Sequence, residues 1–406
     1  MITVFRVEGF KSLQKVAIDL GRINIFIGAN GSGKSNLLES IGVMGSAAFG
    51  SVEPETLRYR GVRPGLPALY KTSFQGQHFR RLISLEAGSN DATYRLGLDN
   101  PIRNPSVRWR IASESLEDHG KPVLSRSPRG CRFYDATGRS ERITPRQDQT
   151  LARLALALTD QEDVTAAQQL MEELTGYAIY SPTTPVLRGI ATEEVSRDPL
   201  GLTGGGLPEA VQHITRRAEG TIGPFDRDEV WELIEWAEDM AAVPAPQALV
   251  SPAVKTAPVV LRFKDRFMRW ERSVLSAYDA SEGALYVLFL IALSSHERSP
   301  PIFAVDNFDH AIHPRLAAAL TSMVSQQIVK EGKRQLLATT HNPLVLDGLD
   351  LTNDQIRLFA VDRDPAGVTQ VSRVQVSEEL LAESRKGLPL SRLWLMGRLG
   401  GIPRSL

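Results

Sequence analysis

The stretch from Gly28 to Ser35, GANGSGKS, constrains the fold of this chain more than any other. It follows the apolar run INIFI, which has the composition of a buried strand, and leads into SNLLESIGVMGSAAF, which has helical spacing. A GxxxxGK[ST] pattern between a strand and a helix is typical of a loop that wraps phosphate groups. The sequence therefore predicts an α/β fold, a P-loop NTPase, rather than a chance glycine-rich turn.

The residue types of this loop explain the chemistry that we expect from it. Its glycines let backbone N–H groups cradle a β-phosphate, and the N-terminus of the following helix adds positive partial charge. The Lys34 ammonium is expected to contact the β- and γ-phosphates, and the Ser35 hydroxyl to bind Mg²⁺. The predicted cofactors are therefore ATP and Mg²⁺. The predicted nucleotide-binding residues in this part of the chain are Gly28, Asn30, Gly31, Gly33, Lys34, Ser35 and Asn36.

An acidic strand end lies about 270 residues after the phosphate loop. The apolar run IFAV leads into Asp306, whose carboxylate is well placed to hold Mg²⁺ directly or through water. The next residue is Asn307, and its side chain cannot accept a proton from water as a glutamate would. The predicted site is therefore assembled from both halves of the chain, with everything else inserted between them.

Five motifs, in order, resemble those of ABC-type ATPase heads of the RecF, SMC and OLD group, the family called AAA_21. The segments and what they resemble are FRVEGFKSL, the opening strand; IFIGANGSGKSNLLE, Walker A; DASEGALYVL (279–288), the signature; IFAVDNFDHAIHP, Walker B with the D-loop; and LLATTHNPLVLDGL, the switch histidine. Two other segments also look like parts of this family, GLTGGGLPEAV (201–211) and LSRLWLMGRLGGIP (390–403).

The resemblance implies a homodimer or higher oligomer in which two heads pack head to tail around two ATP molecules. Ser281 and Gly283 of one subunit would then face the γ-phosphate held by the other. A serine hydroxyl and backbone amides at a helix start form an anion site only if the phosphate comes from outside. The alternative is that Ser281 merely caps its own helix.

Asn307 leaves three hypotheses for catalysis open. Asn307 could position water for slow hydrolysis with the help of His341, which the resemblance places at the γ-phosphate. The base could instead have moved to Asp309, two residues beyond the usual position, or the protein could bind ATP with almost no turnover. Loss of a general base costs about 10²–10⁴ in rate. Beside Ser35 and Asp306, Gln75 is a candidate third metal contact, with Gln77 as the alternative Q-loop residue.

The motif order predicts three parts. Residues 1–147 would form the N-terminal half of the head, with Walker A and an antiparallel β layer that the alternating segments between 70 and 143 indicate. Residues 148–255 would form a helical insertion, and residues 256–406 the C-terminal half with signature, Walker B and switch histidine. Asp362 and Asp364 are read as a strand followed by a turn rather than as the metal cluster of a nuclease.

Charge and composition restrict the partners. Lys+Arg and Asp+Glu both count 47, so the net charge is zero and nucleic acid would need a local patch. The candidate patches are Arg58, Arg60 and Arg63; Arg80 and Arg81; and Arg108 and Arg110, interleaved with Tyr59 and Trp109. The single cysteine and the absence of an apparent membrane span or signal peptide are expected of a cytoplasmic protein.

The leading functional hypothesis is an ATP-dependent head that gates a separately encoded effector, as the group-level resemblance to antiphage-defence ATPases implies. One alternative is a RecF-like DNA-repair ATPase that clamps DNA and cycles by hydrolysis. The other is a scaffold that binds ATP without turnover.

Overall fold

A six-stranded, mostly parallel sheet forms the centre of the protein in a computed structural model that describes residues 1–76, 81–135, 137–159, 162, 164–216, 220–245, 257–375 and 388–401. Only its last strand is antiparallel to its neighbour. In spatial order the strands are β10 (Ala178–Tyr180), β16 (Ile302–Val305), β17 (Gln335–Thr340), β3 (Ile23–Ile27), β18 (Ile356–Arg363) and β19 (Thr369–Arg373).

The three strands in the middle of this sheet carry the predicted motifs. All residues of β3, β16 and β17 are buried, as expected of parallel strands that are covered on both faces. The three strands are neighbours and run in the same direction, so their carboxyl ends meet at one edge. Gly28, Asp306 and His341, each the residue after its strand, are therefore brought to one edge of the sheet.

A second, eight-stranded antiparallel sheet confirms the predicted β layer and also takes in the first two strands of the chain. In spatial order its strands are β2 (Leu13–Asp19), β1 (Val4–Phe10), β4 (Leu82–Gly88), β5 (Ala92–Asp99), β6 (Arg110–Asp118), β7 (Lys121–Ser127), β8 (Gly130–Tyr134) and β9 (Ser140–Ile143). The helix α1 (Lys34–Phe49) shares one apolar cluster with residues of both sheets.

Helices cover the other face of the central sheet. There α9 (Glu282–Ser295) is buried along most of its length, since its sequence EGALYVLFLIALSS is apolar on nearly all sides. No helix in the described ranges is both long and apolar enough to cross a membrane. The remaining helices are α2 (Pro54–Arg58), α3 (Pro67–Tyr70), α4 (Ala152–Leu158), α5 (Thr165–Gly176), α6 (Thr184–Leu187), α7 (Leu207–Thr215), α8 (Arg227–Leu233), α10 (Pro314–Glu331) and α11 (Leu390–Leu395).

The segment 148–255 differs from the predicted helical insertion, because it also contributes strands. Strand β10 pairs in parallel with β16 and so belongs to the central sheet; its three residues are too few for periodicity to reveal. A hairpin, β11 (Thr221–Ile222) and β12 (Phe225–Asp226), interrupts the helices. Farther on, β13 (Ala237–Pro244) pairs with β14 (Val259–Asp265), which also pairs with β15 (Val274–Ser276). Long-range pairing therefore overrides helical spacing here.

Buried His296, which packs against the partly exposed His213, gives the folded state a testable pH dependence. His296 lies at the end of α9, where its Nδ1 accepts the Arg298 backbone N–H at 3.1 Å and its ring lies 4.4 Å from that of His213. Burial, followed by His213 and Arg298, lowers the pKa of His296 to about 4. A depressed pKa stabilises the folded state above the ordinary value of 6.5, and this stability is lost as the pH falls towards 4.

We therefore expect the His296→Gln variant to lose less stability on acidification than the wild type. Between pH 7 and pH 5 the wild type should lose about 2 kcal/mol more of its free energy of unfolding. The glutamine oxygen can accept the same backbone N–H, which makes the variant a conservative control. Urea unfolding at both pH values measures the difference; parallel losses in the two proteins would contradict the assignment.

Candidate functional site

The carboxylate of Asp306 joins the two halves of the chain at the edge of the central sheet. Its Oδ2 accepts a hydrogen bond from Ser35 Oγ at 2.9 Å, and its Oδ1 accepts one from Thr339 Oγ1 at 2.6 Å. Ser35 lies in the first turn of α1, Asp306 directly follows β16, and Thr339 is the last but one residue of β17. A hydroxyl and a carboxylate oxygen that converge in this way are hard donors of the kind that Mg²⁺ prefers. Ser35 and Asp306 therefore fit a magnesium ion.

The phosphate loop holds its lysine inward. The Lys34 ammonium donates to the carbonyl oxygens of Gly28 at 2.8 Å and Ala29 at 3.0 Å, across the space that the loop encloses. Burial lowers the pKa of Lys34 to about 8, although the charges of Asp306 and Asp309 act in the opposite direction. The ammonium thus remains largely charged at neutral pH. It is available to exchange carbonyl oxygens for phosphate oxygens.

Close packing accounts for Gly33 in the phosphate loop and for Asn36 in helix α1 directly after it. Gly33 has φ of +114°, and a Cβ there would lie 2.2 Å from Thr369 Oγ1. That hydroxyl is fixed by hydrogen bonds to the Ser32 carbonyl and to Ser12 Oγ, both at 2.7 Å. Asn36 also donates to Ser12 Oγ, at 2.8 Å. The turn between β1 and β2 therefore fixes the outer side of the loop, whereas Asn30 and Gly31 are exposed.

The turn after β16 gives a backbone reason for the unusual Asn307. Its φ is +59°, a conformation that asparagine adopts more readily than most residues. Its backbone N–H donates to Thr339 Oγ1 at 2.9 Å, and its carbonyl accepts from the Tyr286 hydroxyl at 3.1 Å. The backbone of Asn307 is thus held on both sides, while the residue itself is exposed.

Asp309 is brought to the same sheet edge by the residues that end β17. Its Oδ1 accepts from Thr340 Oγ1 at 2.7 Å and from the His341 backbone N–H at 3.3 Å. Partial burial lowers the pKa of the His341 ring, and the Lys34 ammonium lowers it further, against the opposing charges of Asp309 and Asp306. Lys34, Asp306, Asp309 and His341 therefore form one electrostatic group.

The signature residues lie at the start of α9. Ser281 caps the helix: its Oγ accepts from the Ala284 backbone N–H and from Trp236 Nε1, both at 3.3 Å. Ser281 is nevertheless exposed. A Cβ on Gly283 would lie 3.0 Å from the Ala311 carbonyl oxygen, so the glycine lets this helix start approach the turn after β16. In a single chain, Ser281 therefore caps its own helix.

A cavity of about 580 Å³ opens beside Ser35 and Asp306. Its lining includes Glu39, which is buried and receives the Arg63 Nε at 2.5 Å and the Lys11 ammonium. The paired charges explain how a carboxylate is tolerated at this depth. Sequence reasoning did not identify this ion cluster.

Several sequence candidates lie away from the Ser35–Asp306 pair. Gln75 lies in an exposed turn and stays a prediction, and Gln77 falls outside the described residues. Asp362 ends up in β18 and Asp364 in the turn after it, as predicted. The residues that sequence reasoning missed at the site are Ser12, Tyr286, Thr339, Thr340 and Thr369. The only local signal was the Thr339–Thr340 pair directly before His341.

Among the described residues of the predicted basic patches, most side chains are exposed, but two are buried. The exposed ones are Arg58, Tyr59, Arg63, Arg81, Arg108 and Arg110. Arg60 is buried and donates to two backbone carbonyls, and Trp109 is 6% exposed. Arg81 makes two hydrogen bonds to the carboxylate of Asp99, at 2.7 and 2.8 Å. Arg80 falls outside the described residues. The prediction was wrong for Arg60 and Trp109, because alternation alone did not show which face of each segment is covered.

The fold and the site together define an ATPase head of the ABC type, of the RecF and SMC group. Residues 23–347 match the model of the AAA_21 family, described as "AAA domain, putative AbiEii toxin, Type IV TA system", and the chain belongs to this family. No match is found among curated proteins.

Solved SMC heads are similar in fold. The SMC head bound to the C-terminal winged-helix domain of ScpA is 14% identical, with a TM-score of 0.55 over 94% of this chain and 99% of that one. The SMC head domain from Thermotoga maritima is 13% identical, with a TM-score of 0.45 over 92% and 99% of the two chains. At 14% identity, the likeness to the ScpA-bound head concerns the fold alone.

Thr339 offers a test of the hydrogen bonds that hold the site. We expect Thr339→Val to lower the free energy of unfolding by about 1–3 kcal/mol, because the Asn307 N–H loses its buried acceptor. Mg²⁺-dependent ATP binding should weaken as well, since Asp306 loses one of its two donors. Thr321→Val is the control: Thr321 is equally buried, but its hydroxyl donates to a carbonyl within α10. Equal effects of the two substitutions on binding would contradict the role of Thr339.

Proposed function

We propose that this chain binds ATP with Mg²⁺ and hydrolyses it slowly, with Asp309 as the general base. The observation that carries the proposal is the convergence of Ser35, Asp306 and Lys34 at the ends of neighbouring parallel strands. The glycine loop would hold the β-phosphate through its backbone N–H groups, and Lys34 would neutralise the β- and γ-phosphates. Mg²⁺, held by Ser35 and Asp306, would neutralise charge on the transferred phosphoryl group.

Asp309 is the acid at this site that has no proposed role in holding the metal. Its Oδ1 is occupied by Thr340 and the His341 backbone, which fixes the direction of the carboxylate. Asn307 can orient a water molecule but cannot take its proton. The His341 side chain, with its lowered pKa, is neutral at physiological pH and can donate to or accept from a γ-phosphate or a water molecule. The proposed base, Asp309, therefore lies two residues after the position that the family resemblance gives to the base.

Asp309→Asn should separate binding from turnover. We expect steady-state phosphate release to fall by about 10²–10⁴, while the affinity for ATP stays within a few-fold of the wild type. Lys34→Ala should abolish both and sets the background for the assay. If Asp309→Asn releases phosphate at the wild-type rate, another group is the base. If the wild type does not exceed Lys34→Ala in release yet retains ATP through gel filtration, the protein is a switch without turnover.

We further propose that ATP joins two heads, so that Ser281 of one subunit completes the phosphate site of the other. The exposed Ser281 hydroxyl at the N-terminus of a 14-residue helix supports this, because a phosphate delivered from a second chain would meet a hydroxyl and the N-terminal end of a helix. The bonds of Ser281 to Ala284 and Trp236 are long, at 3.3 Å, and exchange for a phosphate oxygen would cost little.

Ser281→Arg should therefore prevent ATP-dependent dimerisation without weakening the binding of ATP to a single head. Ser127→Arg is the matched control, since Ser127 is also exposed and also accepts one backbone N–H, from Arg129. The effect is measured by sedimentation of Ser281→Arg and Ser127→Arg, each made in the Asp309→Asn variant, with and without ATP. A dimer that survives Ser281→Arg would exclude this contact from the interface.

The proposed output of head pairing is control of a separately encoded effector. The family's description, which names a toxin of a toxin–antitoxin system, supports a role of this kind, and antiphage defence is the setting that the group resemblance favours. The ATP-bound Asp309→Asn dimer is the form in which to look for the product of a neighbouring gene by co-purification. Binding to ATP-free Lys34→Ala of equal strength would argue against gating by ATP.

A further inference from the structure

The segment from Leu390 to Gly401 is fixed to the turn that follows the switch histidine. The Ser391 backbone N–H and hydroxyl both donate to the carboxylate of Asp347, at 2.9 and 2.7 Å. Asp347 lies in the 3₁₀ turn Pro343–Gly348, which begins two residues after His341. Helix α11 is therefore joined by hydrogen bonds to the turn that follows β17.

Beyond α11, the segment lies directly against the phosphate loop. The Gly401 backbone N–H donates to Asp362 Oδ2 at 3.0 Å, which places Gly401 beside the end of β18. A Cβ on Gly401 would lie 3.3 Å from the Cα of Gly28 and 3.3 Å from the Ile27 carbonyl oxygen. Both atoms belong to the backbone at the start of the phosphate loop, which a larger residue would have to displace.

Gly28 has little room to yield. A Cβ built on Gly28 would lie only 2.2 Å from the Val361 carbonyl oxygen, so that side is already filled by β18. Its own carbonyl oxygen accepts the Lys34 ammonium at 2.8 Å. If a side chain at position 401 displaced Gly28, the Gly28 carbonyl oxygen would move as well. That oxygen accepts the Lys34 ammonium, which is proposed to neutralise the phosphates.

The indole ring of Trp394 lies beside Gly401 at the same contact. The Trp394 side chain is 7% exposed, and its buried indole N–H has no hydrogen-bond partner among the residues that the structure describes. The Nε1 atom lies 3.4 Å from the Cβ position of Gly401. Its ring therefore packs beside the backbone that touches the phosphate loop, and its fluorescence should respond if that backbone moves.

From these contacts we infer that Gly401 and Trp394 are positioning residues for the phosphate loop. The Leu390–Gly401 segment packs against the backbone of Gly28 and connects it to the turn that follows His341. The inference rests on the proposed function, because it concerns the loop that would bind ATP. Neither residue is placed in contact with the nucleotide.

The test compares two glycines with the same backbone conformation. Gly401 has φ of +76° and Gly120 has φ of +75°, but a Cβ on Gly120 would meet no atom within 4 Å. Both alanine variants therefore carry similar backbone strain, and only Gly401→Ala presses on the phosphate loop. In the full-length chain with Mg²⁺, we expect Gly401→Ala to raise the Kd for ATP by about tenfold, as small displacements weaken a preorganised site, while Gly120→Ala leaves it unchanged.

Equal Kd values for Gly401→Ala, Gly120→Ala and the wild type would overturn the inference and leave the proposed function intact. A wild type that binds no ATP would overturn both. Trp394, one of five tryptophans, gives a second measurement that does not depend on how well Gly401→Ala folds. ATP should change the fluorescence of the wild type, and Trp394→Phe should remove most of that change. A change of the same size in Trp394→Phe would also overturn the inference.

Discussion

The carboxylate of Asp306 accepts hydrogen bonds from Ser35 and Thr339, and the rest of the site depends on this interaction. It joins residues that are separated by 271 and 33 positions in the sequence. The parallel pairing of β16, β17 and β3 brings these residues to one edge and makes the interaction possible. Without it, the phosphate loop would be a glycine-rich turn with an inward lysine and no partner for a metal ion.

The turn after β16 links the nucleotide site to the surface where a second head is proposed to bind. The Tyr286 hydroxyl of α9 holds the Asn307 carbonyl, and Gly283 at the start of that helix lies against Ala311. His310 Nε2 lies 3.5 Å from Glu282 Oε1 in the same region. A change at the γ-phosphate that moved this turn would therefore reach the start of α9, where Ser281 is exposed. Under the proposed function, binding of ATP and pairing of heads would be coupled through this one short segment.

The substitution of an amide for the usual acid changes how charge is distributed at the site. A glutamate at position 307 would add a second negative charge next to Asp306. With Asn307, the acids near Lys34 are Asp306 and Asp309, and Asp309 is held by the hydroxyl and backbone of the residues that end β17. Under the proposed function, the site would keep one acid, Asp306, for the metal and one, Asp309, for a proton, with the second on a different part of the turn. Slow turnover and a long-lived ATP complex are the expected consequence.

The sequence alone determined the phosphate loop, the acidic strand end and the strands that carry them, because each is local: a glycine pattern, an apolar run and a single residue after it. It also predicted the antiparallel layer, since alternation with period two does not depend on distant residues. The structure decided the roles of Thr339, Ser12 and Thr369, and the place of Gly401 against Gly28, because hydroxyls and glycines acquire these roles only from contacts with distant parts of the chain. Strand β10 was decided in the same way: it exists only because β16 lies beside it.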